Sequence, residues 1–243
     1  GADTETSPYD SGSYASSTAY ITGKAVEKTA RHLIEEIRAT AAQMLKCGVE
    51  DTRFEGDHVS CVSTGKSVTT AEIGVHSMCA NNHALQVTES HYSPTSPPPF
   101  MVGMAEVEID KETGELELID YVSVVDCGTP LNPNLARVQV EGGLGQGIGM
   151  ALYENVQYTD YGRMMNNSLM QYKIPARVDL CKLRVEFESS YEQSGPFGAK
   201  SIGEIVINTP SPALAHAVAN ATGVWVRELP ITPEKIAMGV PEQ

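Results

Sequence analysis

The 243-residue chain carries 31 acidic against 17 basic side chains, a net charge of −14, and is 41% hydrophobic. That balance supports a packed core and repels phosphate backbones, which argues against nucleic acid as a partner. No run reaches the ~18 apolar residues of a membrane span, and the N-terminus does not read as a secretion signal, so a reduced, cytoplasmic protein is expected. The five cysteines are widely spaced with no CxxC, so neither zinc nor iron–sulfur ligation is expected from this chain's own side chains.

Residues 1–23 lack hydrophobic periodicity. The run Asp10-Ser-Gly-Ser-Tyr-Ala-Ser-Ser-Thr18 is rich in small hydroxyl residues. Its composition reads first as a linker-like head, with a nest of N–H groups and hydroxyls around an anion as the functional alternative. From Lys24 to Cys47, Val26, Ala30, Leu33, Ile34, Ile37, Ala41, Met44 and Leu45 recur at three- and four-residue steps, which predicts an amphipathic helix with Gly48 as its C-cap. Residues 49–91 alternate short strand-like pieces with a helix near 70–80. Their four histidines fit no metal motif, and Ser93–Pro99 forms a proline-rich connector.

Met104–Asp110 and Glu115–Val125 alternate cleanly around Lys111-Glu-Thr-Gly114, a strong signal for an antiparallel hairpin. Cys127 beyond it reads as a buried structural thiol. Gln139–Leu152 holds five glycines between positions 142 and 149. Ile148 stands where a dinucleotide-binding loop needs its third glycine, and the preceding strand and acidic partner are missing. Each glycine costs a helix roughly 1 kcal/mol, so five imply a buried helix pressed closely against a neighbour or a cofactor. Asn166–Pro175 reads as a loop followed by a short strand, with Tyr172 and Lys173 structural. Leu183–Glu188 reads as a strand, and Thr209–Ala213 opens a helix that Gly223 ends.

Gly195-Pro-Phe-Gly-Ala-Lys-Ser-Ile-Gly-Glu204 packs three glycines ahead of one acid, and Ile205-Val-Ile207 follows. Alanine before Lys200 rules out a P-loop. Glu204 is either a solvated loop end or a base whose pKa its apolar neighbours raise by desolvation.

Phe197-Gly-Ala-Lys-Ser-Ile-Gly-Glu204 resembles the Gly-Val-Gly-Glu type segment of the xanthine dehydrogenase/aldehyde oxidase family of molybdenum hydroxylases. Further likenesses follow family order: the hydroxyl loop with Ala15-Ser16, the hairpin from Glu106 to Asn132, Gln139-Val-Glu-Gly142, Tyr172–Pro175 and Pro230–Ile236. The resemblance implies an α+β fold of mixed or antiparallel sheets with packed helices, the second half of the family's molybdopterin-binding region. It would occupy residues 1–243, in one piece or in two subdomains at about 1–100 and 101–243.

The same resemblance implies Glu204 as catalytic base. It places Ala15, Ser16, Thr18, Gln139 and Gly203 at the molybdenum–molybdopterin cofactor, with no metal ligand from a side chain. Gln146 has weaker standing and serves equally as a structural residue. The implied reaction hydroxylates a small heterocycle, with water as the oxygen source and electrons leaving through iron–sulfur and FAD modules carried by partners. Xanthine or a related purine is preferred; aldehyde, nicotinate and carbon monoxide relatives share the scaffold. The upstream half of the molybdopterin-binding region has no counterpart here, so the chain is expected to be either a separate subunit or, as its start within a loop suggests, a piece of a longer chain, inactive alone. The competing reading is a non-catalytic docking or assembly subunit.

Overall fold

The computed structural model describes residues 3–5, 9, 12–188 and 190–239. The chain divides into two compact units, residues 21–94 and residues 1–20 together with 95–243. Ser7, Pro8, Asp10 and Ser11 of the expected N-terminal loop lie outside the described residues.

In the smaller unit, α1 (Gly23–Leu45) and α2 (Thr70–Cys79) accompany a three-stranded antiparallel sheet of β1 (Thr52–Phe54), β2 (His58–Cys61) and β3 (Ser67–Thr69). Ala41, Val59 and Ile73 form its buried centre, flanked by Ile37, Met44, Phe54, Val68 and Leu85. The predicted amphipathic helix is therefore present, but its end differs. Lys46 takes the left-handed cap conformation at φ 54°, whereas Gly48 is extended. Gly48 instead opens the next turn, its carbonyl accepting from Asp51 N at 3.1 Å. A capping box starts α2: the Thr69 hydroxyl accepts from Glu72 N, and the Glu72 carboxylate accepts from Thr69 N.

In the larger unit, β4 (Phe100–Ile109) and β5 (Leu116–Asp126) form the predicted antiparallel hairpin, with a register shift between Glu106 and Val107. The third strand, β6 (Lys182–Phe187), joins β5 in parallel, so the sheet is mixed in the order β4-β5-β6. Parallel neighbours need a long crossover, and α3 (Pro133–Leu152) supplies it. The remaining helices are α4 (Pro210–Thr222) and α5 (Pro233–Ala237).

One core cluster joins Tyr121, Val125 and Val185 of the sheet to Val140 and Leu144 of α3 and to Val206. A second joins Leu118, Ile148, Ala151, Leu214 and Val218. Two of the α3 glycines, Gly143 and Gly147, follow from this packing. A Cβ on Gly143 would lie 2.0 Å from Val206 Cγ2, and one on Gly147 would lie 2.6 Å from Pro210 Cγ. The helix runs closer to its neighbours than alanine permits.

Two expectations change. No strand forms between 166 and 175; turns and side chains hold that segment instead. Tyr172 N donates to Ser168 O at 2.8 Å, the Tyr172 hydroxyl donates to Glu154, and Asn166 bridges to the backbone of Asn155 and Gln157. The described part of the N-terminal stretch is not a linker. It forms two helical turns, Tyr14–Ser16 and Thr18–Thr22, and buries Tyr20, whose hydroxyl donates to Ser194 Oγ at 2.7 Å.

Candidate active site

A cleft of about 600 Å³ opens in the larger unit. Three walls meet there: residues 13–19, the stretch from Cys127 into the first turns of α3 as far as Gln139, and the loop 199–204.

The loop before Glu204 is fixed onto the end of β5. Lys200 N donates to Cys127 O at 2.7 Å and Thr129 N donates to Gly198 O at 2.8 Å. Gly128 makes this approach feasible: its φ is +67°, and a Cβ there would lie 2.3 Å from Gly198 O. An ion pair between buried Lys200 and half-buried Asp126 completes the joint. Lys200, 8% exposed, places Nζ 2.7 Å from Asp126 Oδ2 and also donates to Pro98 O. Burial pushes the Asp126 carboxyl up, but Lys200, the Ser190 hydroxyl and the Gly128 N–H together hold it below the usual carboxylate range.

On the opposite wall, Ala15 and Ser16 are consecutive non-glycine residues with φ of 50° and 56°. Each such residue costs on the order of 1 kcal/mol, and backbones of this kind cluster at ligand sites. The turn aims Ser16 at Glu204. The Ser16 hydroxyl donates to Glu204 Oε2 at 2.9 Å and accepts from Glu204 N at 2.7 Å. Gly203 leaves room for it, since a Cβ at that position would stand 2.9 Å from Ser16 Oγ. Gln139 Nε2, from α3, donates to Gly203 O at 3.2 Å. That uses one N–H of the amide; its carbonyl oxygen and second N–H remain as functional groups of the cleft wall.

Ser16, Thr18, Gln139, Gly203 and Glu204 thus come together on the cleft wall. Thr18 donates to Ser13 Oγ at 2.6 Å. Ala15 shapes the turn without lining the cleft. The desolvation expected of Ile205–Ile207 is absent. Val206 is buried against α3 and Ile205 packs on the same cluster, while Glu204 itself is exposed.

Sequence reasoning gave no site role to Thr129, Pro130, Leu131, Asn132, Leu135, Ala136 or Lys200, all of which line the cleft. Leu131-Asn-Pro133 carried a usable signal, an N-cap followed by proline. Asn132 Oδ1 accepts from Leu135 N, so the positive end of α3 contributes to the cleft. Cys127 also lines it, and burial pushes its thiol up, as befits an unreactive thiol.

Residues 1–181 match the model of the molybdopterin cofactor-binding domain. The chain is 35% identical over 240 residues to the probable hypoxanthine oxidase XdhD of Escherichia coli, covering 96% of this chain and 25% of that protein. It is 31% identical over 239 residues to a xanthine dehydrogenase molybdenum-binding subunit of Escherichia coli, covering 96% and 32%. The crystal structure of quinoline 2-oxidoreductase from Pseudomonas putida 86 superimposes with a TM-score of 0.84 at 29% identity, over 98% of this chain and 32% of that one. The chain therefore spans about a quarter to a third of the length of these relatives.

The cleft suits a bulky, phosphate-bearing heterocycle. It offers the hydroxyls of Ser13 and Thr18, the amides of Asn132 and Gln139, and a helix N-terminus, within the usual volume of a ligand site. Pattern, fold and cleft agree that the chain belongs to the molybdopterin cofactor-binding domain family of the molybdenum hydroxylases.

Proposed function

We propose that this chain forms part of the active site of a molybdenum hydroxylase and that Glu204 is its general base. The observation carrying this reading is the paired contact between Ser16 and Glu204, made across 188 positions of sequence. A hydroxyl that donates to Oε2 selects one carboxylate orientation and leaves Oε1 to accept a proton. The bond that Glu204 N donates to Ser16 Oγ fixes the backbone beneath it. Gln139 holds Gly203, so the carboxylate stands on a fixed support. General bases need such positioning to within about 3 Å of the proton removed. When bound, the molybdenum–molybdopterin cofactor supplies the oxidation chemistry, taking electrons from the substrate while water supplies oxygen.

The substrate class we favour is a purine of the xanthine or hypoxanthine type. The names of two relatives support it. Another nitrogen heterocycle is the second reading, supported by the likeness to the quinoline enzyme. Completion of the site falls to the remainder of the molybdopterin-binding region, with iron–sulfur and FAD modules as electron acceptors, so the chain alone is inactive. Among the described residues no helix is long and apolar enough to cross a membrane; a cytoplasmic location is part of the proposal.

The test is Glu204→Gln in the complete enzyme. Turnover is expected to fall by roughly 10² to 10⁴, with molybdenum content unchanged. Near-native turnover would remove Glu204 as base. Loss of molybdenum together with activity would instead mark a cofactor-holding role. A complete, metal-replete enzyme that oxidises no purine but oxidises quinoline would settle the substrate class against the first choice.

A further inference from the structure

The geometry points to a second, separate metal site, formed in the smaller unit by Cys47, Asp51 and Cys61 and suited to a zinc ion. Cys47 follows the left-handed Lys46 that ends α1, Asp51 closes the short turn Val49–Asp51, and Cys61 is the last residue of β2. Their ligand atoms, two sulfurs and a carboxylate oxygen, all lie within 4.8 Å of one another. Cys61 is fully buried, and the other two are half-buried.

The backbone at each position is pinned. Cys47 N donates to Ala42 O at 3.1 Å, Val62 N to Asp51 O at 2.8 Å, and Cys61 N to Lys66 O at 2.8 Å. Asp51 is also oriented by Ser63, whose hydroxyl lies 3.4 Å from Cys61 Sγ. Ser63 N donates to Oδ1 at 3.1 Å and the Ser63 hydroxyl donates to Oδ2. Hydrogen bonds of this kind from outside the ligand set aim a coordinating carboxylate. Cys61 Sγ currently donates to Asp51 Oδ2 at 3.2 Å, so a proton holds two of the ligands together where a cation can replace it.

Two thiolates and one carboxylate select a borderline ion such as Zn²⁺ over Mg²⁺ or Ca²⁺. Three protein ligands leave one tetrahedral position for water. The balance is simple: Zn²⁺ binds as the two thiol protons leave, Asp51 contributes the charge it already carries, and no electrons move. The ion would tie the end of α1 to β2. The spacing Cys47-x3-Asp51-x9-Cys61 belongs to no common ligand motif, which is why the sequence did not suggest it.

Cobalt(II) titration of the full chain, kept reduced with a phosphine, tests the site. One equivalent is expected to bind with a thiolate-to-cobalt charge-transfer band that zinc displaces. Cys47→Ser and Cys61→Ser should each abolish the band, and Ser63→Ala should weaken zinc binding by roughly tenfold through the loosened carboxylate. No band in a reduced, folded chain overturns the proposal. So does a band that survives both Cys47→Ser and Asp51→Asn, since the remaining cysteines would then be its source. If Cys61→Ser does not fold, the half-buried Cys47→Ser and the exposed Ser63→Ala decide the matter.

Discussion

Ser16 and Glu204 contact each other twice: one hydroxyl both donates to the carboxylate of Glu204 and accepts from its backbone N–H. A single oxygen therefore sets the carboxylate's direction and the path of the chain that carries it. Ser16 does this from a left-handed backbone, φ 56°, next to another at Ala15. The strain and the contact belong to one arrangement.

Ser16→Ala should separate positioning from cofactor binding. It removes both hydrogen bonds and leaves Glu204 free to rotate. In the complete enzyme we expect kcat to fall by about 10², the usual cost of a misplaced catalytic group, with molybdenum content retained. An unchanged kcat would show that Glu204 needs no help from Ser16.

Gly203→Ala should give a similar kinetic effect by a different route. Its Cβ would come within 2.9 Å of Ser16 Oγ and 3.3 Å of Ser16 Cβ. The serine can rotate away, but only by releasing Glu204. The expected result is lost activity with unfolding temperature nearly unchanged. A large fall in unfolding temperature with kinetics intact would contradict it.

The sequence revealed elements better than it revealed environments. The helix from residue 24, the hairpin and the helix from Thr209 to Gly223 were visible because apolar side chains recur with the period of each element. Among the glycines of Gln139–Leu152, Gly143 and Gly147 do make the expected close approach, to Val206 and Pro210, whereas Gly142 meets nothing within 4 Å. The Ser16–Glu204 contact, by contrast, joins residues 188 apart, and no local pattern encodes it. Only the family resemblance placed both in one site. The apolar run after Glu204 misled for a related reason. Periodicity marks Ile205–Ile207 as buried without saying against what, and Val206 packs on α3 instead of surrounding the carboxyl. The Asp126–Lys200 pair was hidden too, because each residue alone reads as an ordinary surface charge.

Glycines on α3 should fall into two classes. A Cβ at Gly143 would sit 2.0 Å and 2.7 Å from Val206 atoms, whereas one at Gly142 meets nothing within 4 Å. Gly143→Ala should destabilise the chain by about 1–3 kcal/mol through overpacking. Gly142→Ala should stabilise it by up to about 1 kcal/mol through helix propensity. Thermal unfolding of the full chain checks both, at roughly 2–4 °C per kcal/mol for a chain of this size. Shifts of the same sign would refute the packing account of this helix.

The Asp126–Lys200 pair makes a prediction about acid. Burial alone would raise the Asp126 carboxyl, but Lys200, Ser190 and Gly128 lower it overall. A carboxyl depressed in the folded state binds its proton more weakly there than in the unfolded chain. Its contribution to stability is therefore complete above the ordinary carboxylate value, about pH 3.9, and is lost as the pH falls through the lower folded value. Asp126→Asn removes this dependence while keeping the shape. Wild type should be the more stable at neutral pH, and the gap should narrow as the pH falls below the ordinary carboxylate value. Comparing the two chains cancels the other carboxylates, which titrate in both. Chemical denaturation at a series of pH values measures the gap, and one that stayed constant down to acid would show that the ion pair with Lys200 does not set the proton affinity of Asp126.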